Sequence, residues 1–315
     1  MIMKKWIHFL TLVLGVCGSV QARTWTSSDG KKLEAEFVSV TETEVSLKRD
    51  SDGKLFTLPL ERLSELDQEF IEEKGEEMPE EDSDETASME PVTGDYAHLV
   101  TGDWVLAEHE NLPYSFYGGK SIDGSKKYPL VVSLHGKSDN NENGKQQGQA
   151  RSFLQDDNYT KRPCLVLAPL CYQPHGATGG GWDDAPGEET LDLIKELVKE
   201  LPVVDPDRIY VMGYSMGGFG TWHFLTQETR LFAAGVPIAG YGNDVGKLRS
   251  MPIWSFHGAK DEVVSVDGAR ECADQLKRSK VFKYTEYPEG THGIIGQVTK
   301  DEAMHVWLFE QSRAK

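Results

Sequence analysis

From about residue 96 to the C-terminus, short continuous apolar runs alternate with stretches of helical periodicity. The runs are "YPLVVSLHG" at 128–136, "PCLVLAPL" at 163–170, "RIYVMGYS" at 208–215, "AAGVPIAG" at 233–240, "PIWSFHGAKD" at 252–261 and "FKYTEYP" at 282–288. Runs without polar alternation are the mark of strands covered on both faces, as in a parallel sheet. Between them, helices are predicted over 188–201, after Met216, over 266–278 and over 301–311. In the first of these Leu191, Ile194, Leu197, Val198 and Leu201 fall on one face. The alternation predicts a three-layer α/β domain with a mainly parallel sheet over 96–315.

Residues 23–71 read differently. "EAEFVSV", "EVSLKRD" and "KLFTLPL" alternate with period two and are broken by the Asp29-Gly30 and Asp52-Gly53 turns, the pattern of small antiparallel hairpins. A small β-barrel is expected. Ser64, with Asp67 three residues on, should cap a short helix whose Leu66, Phe70 and Ile71 close the barrel's end. Residues 72–95 include "EEKGEEMPEEDSDETASME", acidic and without apolar periodicity, and are expected to be a disordered linker.

Residues 1–22 place Lys4 and Lys5 before the apolar run Trp6 to Val16, with Val20-Gln21-Ala22 supplying small residues for cleavage. The expectation is a secretory signal peptide and a secreted or periplasmic chain. A membrane anchor is disfavoured because the run is shorter than the roughly 20 residues a span needs. A lipoprotein signal at Cys17 is disfavoured by the bulk of Val16.

Charge narrows the partners. With 33 Lys and Arg against 51 Asp and Glu, the net charge of −18 repels nucleic acid and anionic membranes, so neither is an expected partner. Beyond the leader, three cysteines remain, Cys164, Cys171 and Cys272, an odd number that excludes a full disulfide framework. A Cys164–Cys171 pair is left open, although Cys164 sits in an apolar run where a buried thiol is common.

The candidate chemistry lies in "GYSMGG" at 213–218. A serine between glycines is a weak signal by itself; on a tight strand-to-helix turn it becomes specific, because that turn lifts the hydroxyl to the carboxyl end of the sheet. The helix start also offers the Met216 amide to an oxyanion. A serine nucleophile needs a base and a carboxylate, and both follow in order: Asp261 past one strand and His292 in "YPEGTHG" past the next. Glu262 and Asp267 are alternative acids. His257, His223 and His305 read as structural, no metal-ligand spacing is present, and no cofactor is implied. His175 and Trp182 in "HGATGGGWDD" could wall a substrate cleft, or belong to a plain loop.

These motifs, with residues 128–136 and "DPDRIYV" at 205–211, resemble the secreted phospholipase/carboxylesterase and "predicted peptidase" branch of the α/β-hydrolases, near feruloyl esterases and polyhydroxybutyrate depolymerases. The resemblance runs from about Leu112 to the C-terminus. It implies Ser215 as nucleophile, Asp261 as acid, His292 as base, a second oxyanion amide at Lys137, and His135 beside the substrate. It also implies a small-molecule or polymer-linked ester as substrate. A peptidase or amidase would use the same groups, and a non-catalytic binding protein is the reading from another class. Residues 23–71, through "RTWT", "DGK", "AEFV" and "LPL", resemble the SHD1-like modules of secreted bacterial proteins. That implies an SH3-like fold and a protein or cell-envelope ligand.

Overall fold

The computed structural model describes residues 23–40, 43–51, 53–76, 89–137, 142–172 and 181–314. The segment expected as a signal peptide lies outside the described residues. The chain divides into two compact units, Met1–Ala87 and Ser88–Lys315.

In the first unit β1 (Arg23–Thr26), β2 (Lys32–Val40), β3 (Glu44–Arg49) and β4 (Leu55–Pro59) form an antiparallel sheet in sequence order, followed by α1 (Glu65–Glu76). Gly30 and Gly53 turn the chain at φ 81° and 67°, the left-handed region that their neighbours in sequence could not enter as cheaply. Trp25, Ala35, Val45, Leu47, Leu63 and Ile71 make the core, with the Trp25 indole donating to the Ala35 carbonyl at 2.9 Å. Ser64 accepts from the Asp67 amide as the capping pattern requires. Asp67 does more: buried, it accepts from Arg23 at 2.6 Å and from the Thr26 amide at 2.7 Å, tying α1 to β1. The strand pairing does not by itself show the expected closed barrel. Among the described residues β4 does not pair with β1 and the sheet is a four-stranded meander, but past β4 the chain returns to β1: Ser27 and Leu63 form an antiparallel bridge, the Ser64 amide donates to the Thr26 carbonyl at 2.7 Å and the Ser28 amide to the Arg62 carbonyl at 2.8 Å. Its apolar side is covered by α1, whose Phe70 meets Trp25 edge-on at 6.0 Å.

The linker expectation is corrected at both ends. Residues 72–76 continue α1, and residues 89–95 belong to the second unit. There the Glu90 carbonyl accepts from the Gly124 amide at 2.7 Å, and Val92 packs on the main core. Gly94, at φ 97°, lies so close to the Glu200 carbonyl that a Cβ would sit 2.1 Å from it.

The second unit is built on an eight-stranded sheet. In chain order its elements are β5 (Trp104–His109), β6 (Leu112–Gly118), β7 (Tyr128–Leu134), α2 (Asp156–Lys161), β8 (Leu165–Pro169), α3 (Ala185–Glu200), β9 (Val204–Tyr214), α4 (Met216–Gln227), β10 (Ala234–Ile238), β11 (Ile253–Gly258), α5 (Val266–Leu276), β12 (Phe282–Tyr287), α6 (Ile295–Val298) and α7 (Glu302–Phe309). The strand order is β12-β11-β10-β9-β7-β8-β6-β5. β7 to β12 run parallel; β6 pairs antiparallel with β8 and with β5. The strand side chains alternate between two cores, which confirms the three layers. Leu130, Val132, Leu134, Ile209 and Val211 pack with α3, α4 and α5. Val131, Tyr210, Met212 and Phe256 pack with Phe153, α6 and α7 on the opposite face.

The β5–β6 hairpin was not foreseen. Its register, His109 opposite Leu112, leaves only Glu110 and Asn111 in the turn, and Glu110 takes φ 54° where a glycine or asparagine would ordinarily signal it. Cys164, Cys171 and Cys272 are all buried, and no disulfide joins Cys164 to Cys171, which closes the question left open by the sequence. Burial pushes the Cys164 thiol up. Among the described residues no helix is long and apolar enough to cross a membrane.

Candidate active site

β9 lies near the centre of the sheet, between β7 and β10, and its end delivers Ser215. The serine occupies φ 56°, ψ −116°, a strained conformation for a residue with a side chain, and caps α4. The glycines around it are forced by contact rather than by flexibility. A Cβ on Gly217 would stand 1.8 Å from the Leu134 carbonyl oxygen, and one on Gly213 would stand 2.1 Å from that of Gly217. Gly217→Ala should therefore cost roughly 3 kcal/mol or more, read as the shift of a denaturant midpoint, because both blocking atoms are backbone. A loss under about 1 kcal/mol would mean that β7 and α4 are not pressed together as described.

Two further strand ends complete the group. Asp261 follows β11 and His292 follows β12; the two loops are tied together by the Lys260 amide donating to the Gly290 carbonyl at 2.8 Å. His292 Nδ1 donates to Asp261 Oδ2 at 2.8 Å, which leaves Nε2 bare to accept from Ser215 Oγ at 2.9 Å. The Asp261 side chain is fully buried, whereas that of His292 keeps 20% of its exposure. Burial by itself would raise the Asp261 carboxyl. The hydrogen bonds from His292 and from the Val264 and Val263 amides outweigh it and hold the group below the usual carboxylate range. The alternative acids are elsewhere: Glu262 is exposed and Asp267 pairs with Arg270 at 3.1 Å.

Met216 begins α4, so its amide has no acceptor within the helix. On the other side of the serine, Gly136 packs against the turn, with the position of its absent Cβ 3.4 Å from the Tyr214 carbonyl oxygen and 3.7 Å from Ser215 Cβ. Lys137 is the next residue, and its side chain is exposed.

The two residues expected to touch substrate are both buried instead. His135 Nε2 accepts from the Cys171 amide at 2.9 Å and Nδ1 donates to the Gly136 carbonyl at 2.6 Å, so both ring nitrogens are spent on backbone. Trp182 stacks edge-on against His135, donates to its carbonyl at 3.2 Å, and fills the space left by Gly220 on α4. These residues brace the loop that carries Gly136 and Lys137. His175 lies outside the described residues. His305 donates to the Thr299 carbonyl, a structural role as expected, and burial lowers both His305 and His223.

Two contributors were missed. Tyr214 donates its hydroxyl to the His292 carbonyl at 2.9 Å and lays its ring 5.1 Å from the imidazole. His257 was read as a plain strand-end residue, yet its Nε2 stands 3.3 Å from Asp261 Oδ2. The spacing His257 to Asp261 across one tight turn was the available signal.

Similarity to known proteins points the same way. Residues 175–247, which include Ser215, match the prolyl oligopeptidase family. A bifunctional acetylxylan esterase/xylanase of Neocallimastix patriciarum is 28% identical over 171 residues, 51% of this chain and 24% of that protein. Feruloyl esterase B of Piromyces equi is 29% identical over 161 residues, 46% of this chain and 28% of that protein. The chain thus spans only about a quarter of the length of these curated relatives. Among solved structures, a thermostable esterase superposes with a TM-score of 0.62 at 30% identity, covering 68% of this chain and 64% of that one. The sheet order and this likeness give the second unit an α/β-hydrolase fold.

Proposed function

We propose that this protein is a serine hydrolase that cleaves carboxylic esters through an acyl-enzyme on Ser215. The observation that carries the reading is the unbroken chain Ser215 Oγ, His292 Nε2, His292 Nδ1, Asp261 Oδ2, with links of 2.9 and 2.8 Å between groups from three separate strand ends. In this account Ser215 attacks the ester carbonyl as His292 takes its proton, and the imidazolium hands that proton to the leaving alkoxide. Asp261 fixes the imidazole tautomer and stabilises its charged form. The amides of Met216 and Lys137 are assigned to the oxyanion, the first aided by its place at a helix start. Water, activated by the same imidazole, then releases the acid.

The esterase likenesses favour an ester over an amide, and the relatives named for acetylxylan and feruloyl esters make acylated polysaccharide the substrate class to try first. The match to the prolyl oligopeptidase family makes amide hydrolysis the second reading, since it differs in leaving-group protonation and cleft shape rather than in the three groups. A panel of p-nitrophenyl, feruloyl and acetyl-sugar esters alongside peptide amides, run with the protein and with Ser215→Ala, tests both. Ester turnover lost in the variant supports the proposal; turnover of peptide amides alone would replace it with the second reading.

We further assign the protein to the exported fraction, on the signal-like pattern of residues 1–22, and the first unit to attachment, on its likeness to SHD1-type modules and because Arg23–Ile71 carries no paired nucleophile and base. Removal of residues 1–87 should leave kcat/KM on a small soluble ester within about twofold while retention on a cell-envelope or polysaccharide fraction is lost. A tenfold fall in kcat/KM for a folded truncation would show instead that the first unit takes part in turnover, by an order-of-magnitude criterion.

A further inference from the structure

Two histidines stand within 3.3 Å of the Asp261 carboxylate. His257 is the penultimate residue of β11, fully buried, and its Nε2 lies 3.0 Å from the Val264 carbonyl oxygen and 3.3 Å from Asp261 Oδ2. Both neighbours accept hydrogen bonds only, so Nε2 carries the proton; it donates to the Val264 carbonyl and stands beside the carboxylate. The other nitrogen agrees: Nδ1 is buried with no hydrogen-bond partner among the described residues, which is tolerable for a bare lone pair and costly for an N–H. The Asp261 carboxylate receives three hydrogen bonds, from the Val263 and Val264 amides on Oδ1, each at 2.9 Å, and from His292 on Oδ2 at 2.8 Å, while His257 Nε2 stands 3.3 Å from Oδ2 as a charge contact.

We infer that His257 is a positioning residue of the reaction, one whose Nε2–H, held by the Val264 carbonyl, faces Oδ2 at 3.3 Å and so keeps the carboxylate turned for His292 to meet it in line and withdraws part of the charge His292 would otherwise receive. The inference rests on the proposed serine-hydrolase reading. A purely structural histidine at this point would need only the Val264 carbonyl, 3.0 Å away, and would not need to approach the carboxylate on which the base depends. The other charged groups around the ring are placed for different work. Glu286, paired with His257 across β11 and β12, is bound by Arg270 through two hydrogen bonds of 3.0 and 2.7 Å. His292 reaches His257 only through Asp261.

The substitutions that separate the roles are His257→Leu, which keeps the bulk and removes the donor, and His257→Gln, whose amide nitrogen can occupy the place of Nε2. His257→Leu should lower kcat about tenfold with KM nearly unchanged, the rate equivalent of losing one close N–H contact beside the carboxylate. It should also move the acid limb of kcat/KM to higher pH, because a carboxylate no longer shared holds the imidazolium more tightly. His257→Gln should restore both. A folded Leu variant with unaltered kcat and acid limb, or a folded Gln variant no better than Leu, overturns the inference.

Should neither variant fold, the full-length protein labelled with 15N-histidine answers by itself. Long-range 1H–15N correlations must show His257 as the Nε2–H tautomer with a bare Nδ1, and an Nδ1–H tautomer overturns the proposal. Loss of wild-type turnover on Ser215→Ala, measured alongside, keeps failure of this inference apart from failure of the serine-hydrolase reading.

Discussion

Ser215→Ala is expected to abolish ester turnover, with kcat falling by something on the order of 10⁴ to 10⁶, while the thermal midpoint stays within about 3 °C of wild type. The asymmetry has a structural cause. The Ser215 hydroxyl makes one described hydrogen bond, to His292 Nε2, and packs in no core, so its removal costs the fold little. Alanine must still occupy φ 56°, but so does serine, and the strain is unchanged. The covalent step, by contrast, has no substitute nucleophile at the end of β9. Circular dichroism melts and p-nitrophenyl acetate hydrolysis check the two halves together; residual turnover above a few per cent, as an order-of-magnitude bound, would place the nucleophile elsewhere.

The second large effect belongs to Asp261. Asp261→Asn keeps the shape but offers His292 Nδ1 an N–H in place of an acceptor, so Nδ1 gives up its proton, Nε2 carries it, and the base faces the serine with no free lone pair. A loss of roughly 10³ to 10⁴ in kcat is expected. Glu262→Gln, at an exposed neighbour, should change kcat by less than about twofold.

The same carboxylate links stability to pH. Its native pKa is held below the ordinary value, so the unfolded chain binds more protons in acid. Ionised Asp261 therefore stabilises the native state above the usual carboxyl pKa of about 3.9, and that contribution is lost as pH falls through the lower native value. The stability gap between wild type and Asp261→Asn should narrow steadily as pH is lowered below about 4, measured by denaturant midpoints. A gap that widens in acid would contradict the assignment of a depressed carboxyl.

The parts of this molecule that were legible in the sequence share a physical property: local chemistry and tertiary environment agree there. The run Ile209 to Met212 is apolar on both faces because both faces are covered, and the glycines at 213, 217 and 218 are glycines because backbone atoms occupy the space beside them. The chain order of Ser215, Asp261 and His292 was readable for the same reason, each group following its own strand.

What was not legible depends on contacts distant in sequence. Nothing near Trp182 announces that Gly187 and Gly220 leave room for it, so a glycine-rich stretch looked like a cleft wall and is partly core. The β5–β6 hairpin turns on Glu110 in a conformation that sequence statistics assign to other residues. Residues 89–95 follow an acidic run and were grouped with it, although Val92 packs on the core and Glu90 bonds to Gly124. In the first unit the period-two pattern reads out the strands and their sides but not how the core is covered, which depends on α1 and on the return of Leu63 to Ser27, contacts distant in sequence.

The account stands most directly on one measurement: identification, by peptide mass spectrometry, of the residue that a fluorophosphonate labels in the active full-length protein. The expected result is a single adduct on Ser215, formed in step with loss of ester turnover and slowed by two orders of magnitude or more, as an order-of-magnitude expectation, in His292→Ala. An adduct on another residue, or complete inhibition with Ser215 unmodified, would contradict it.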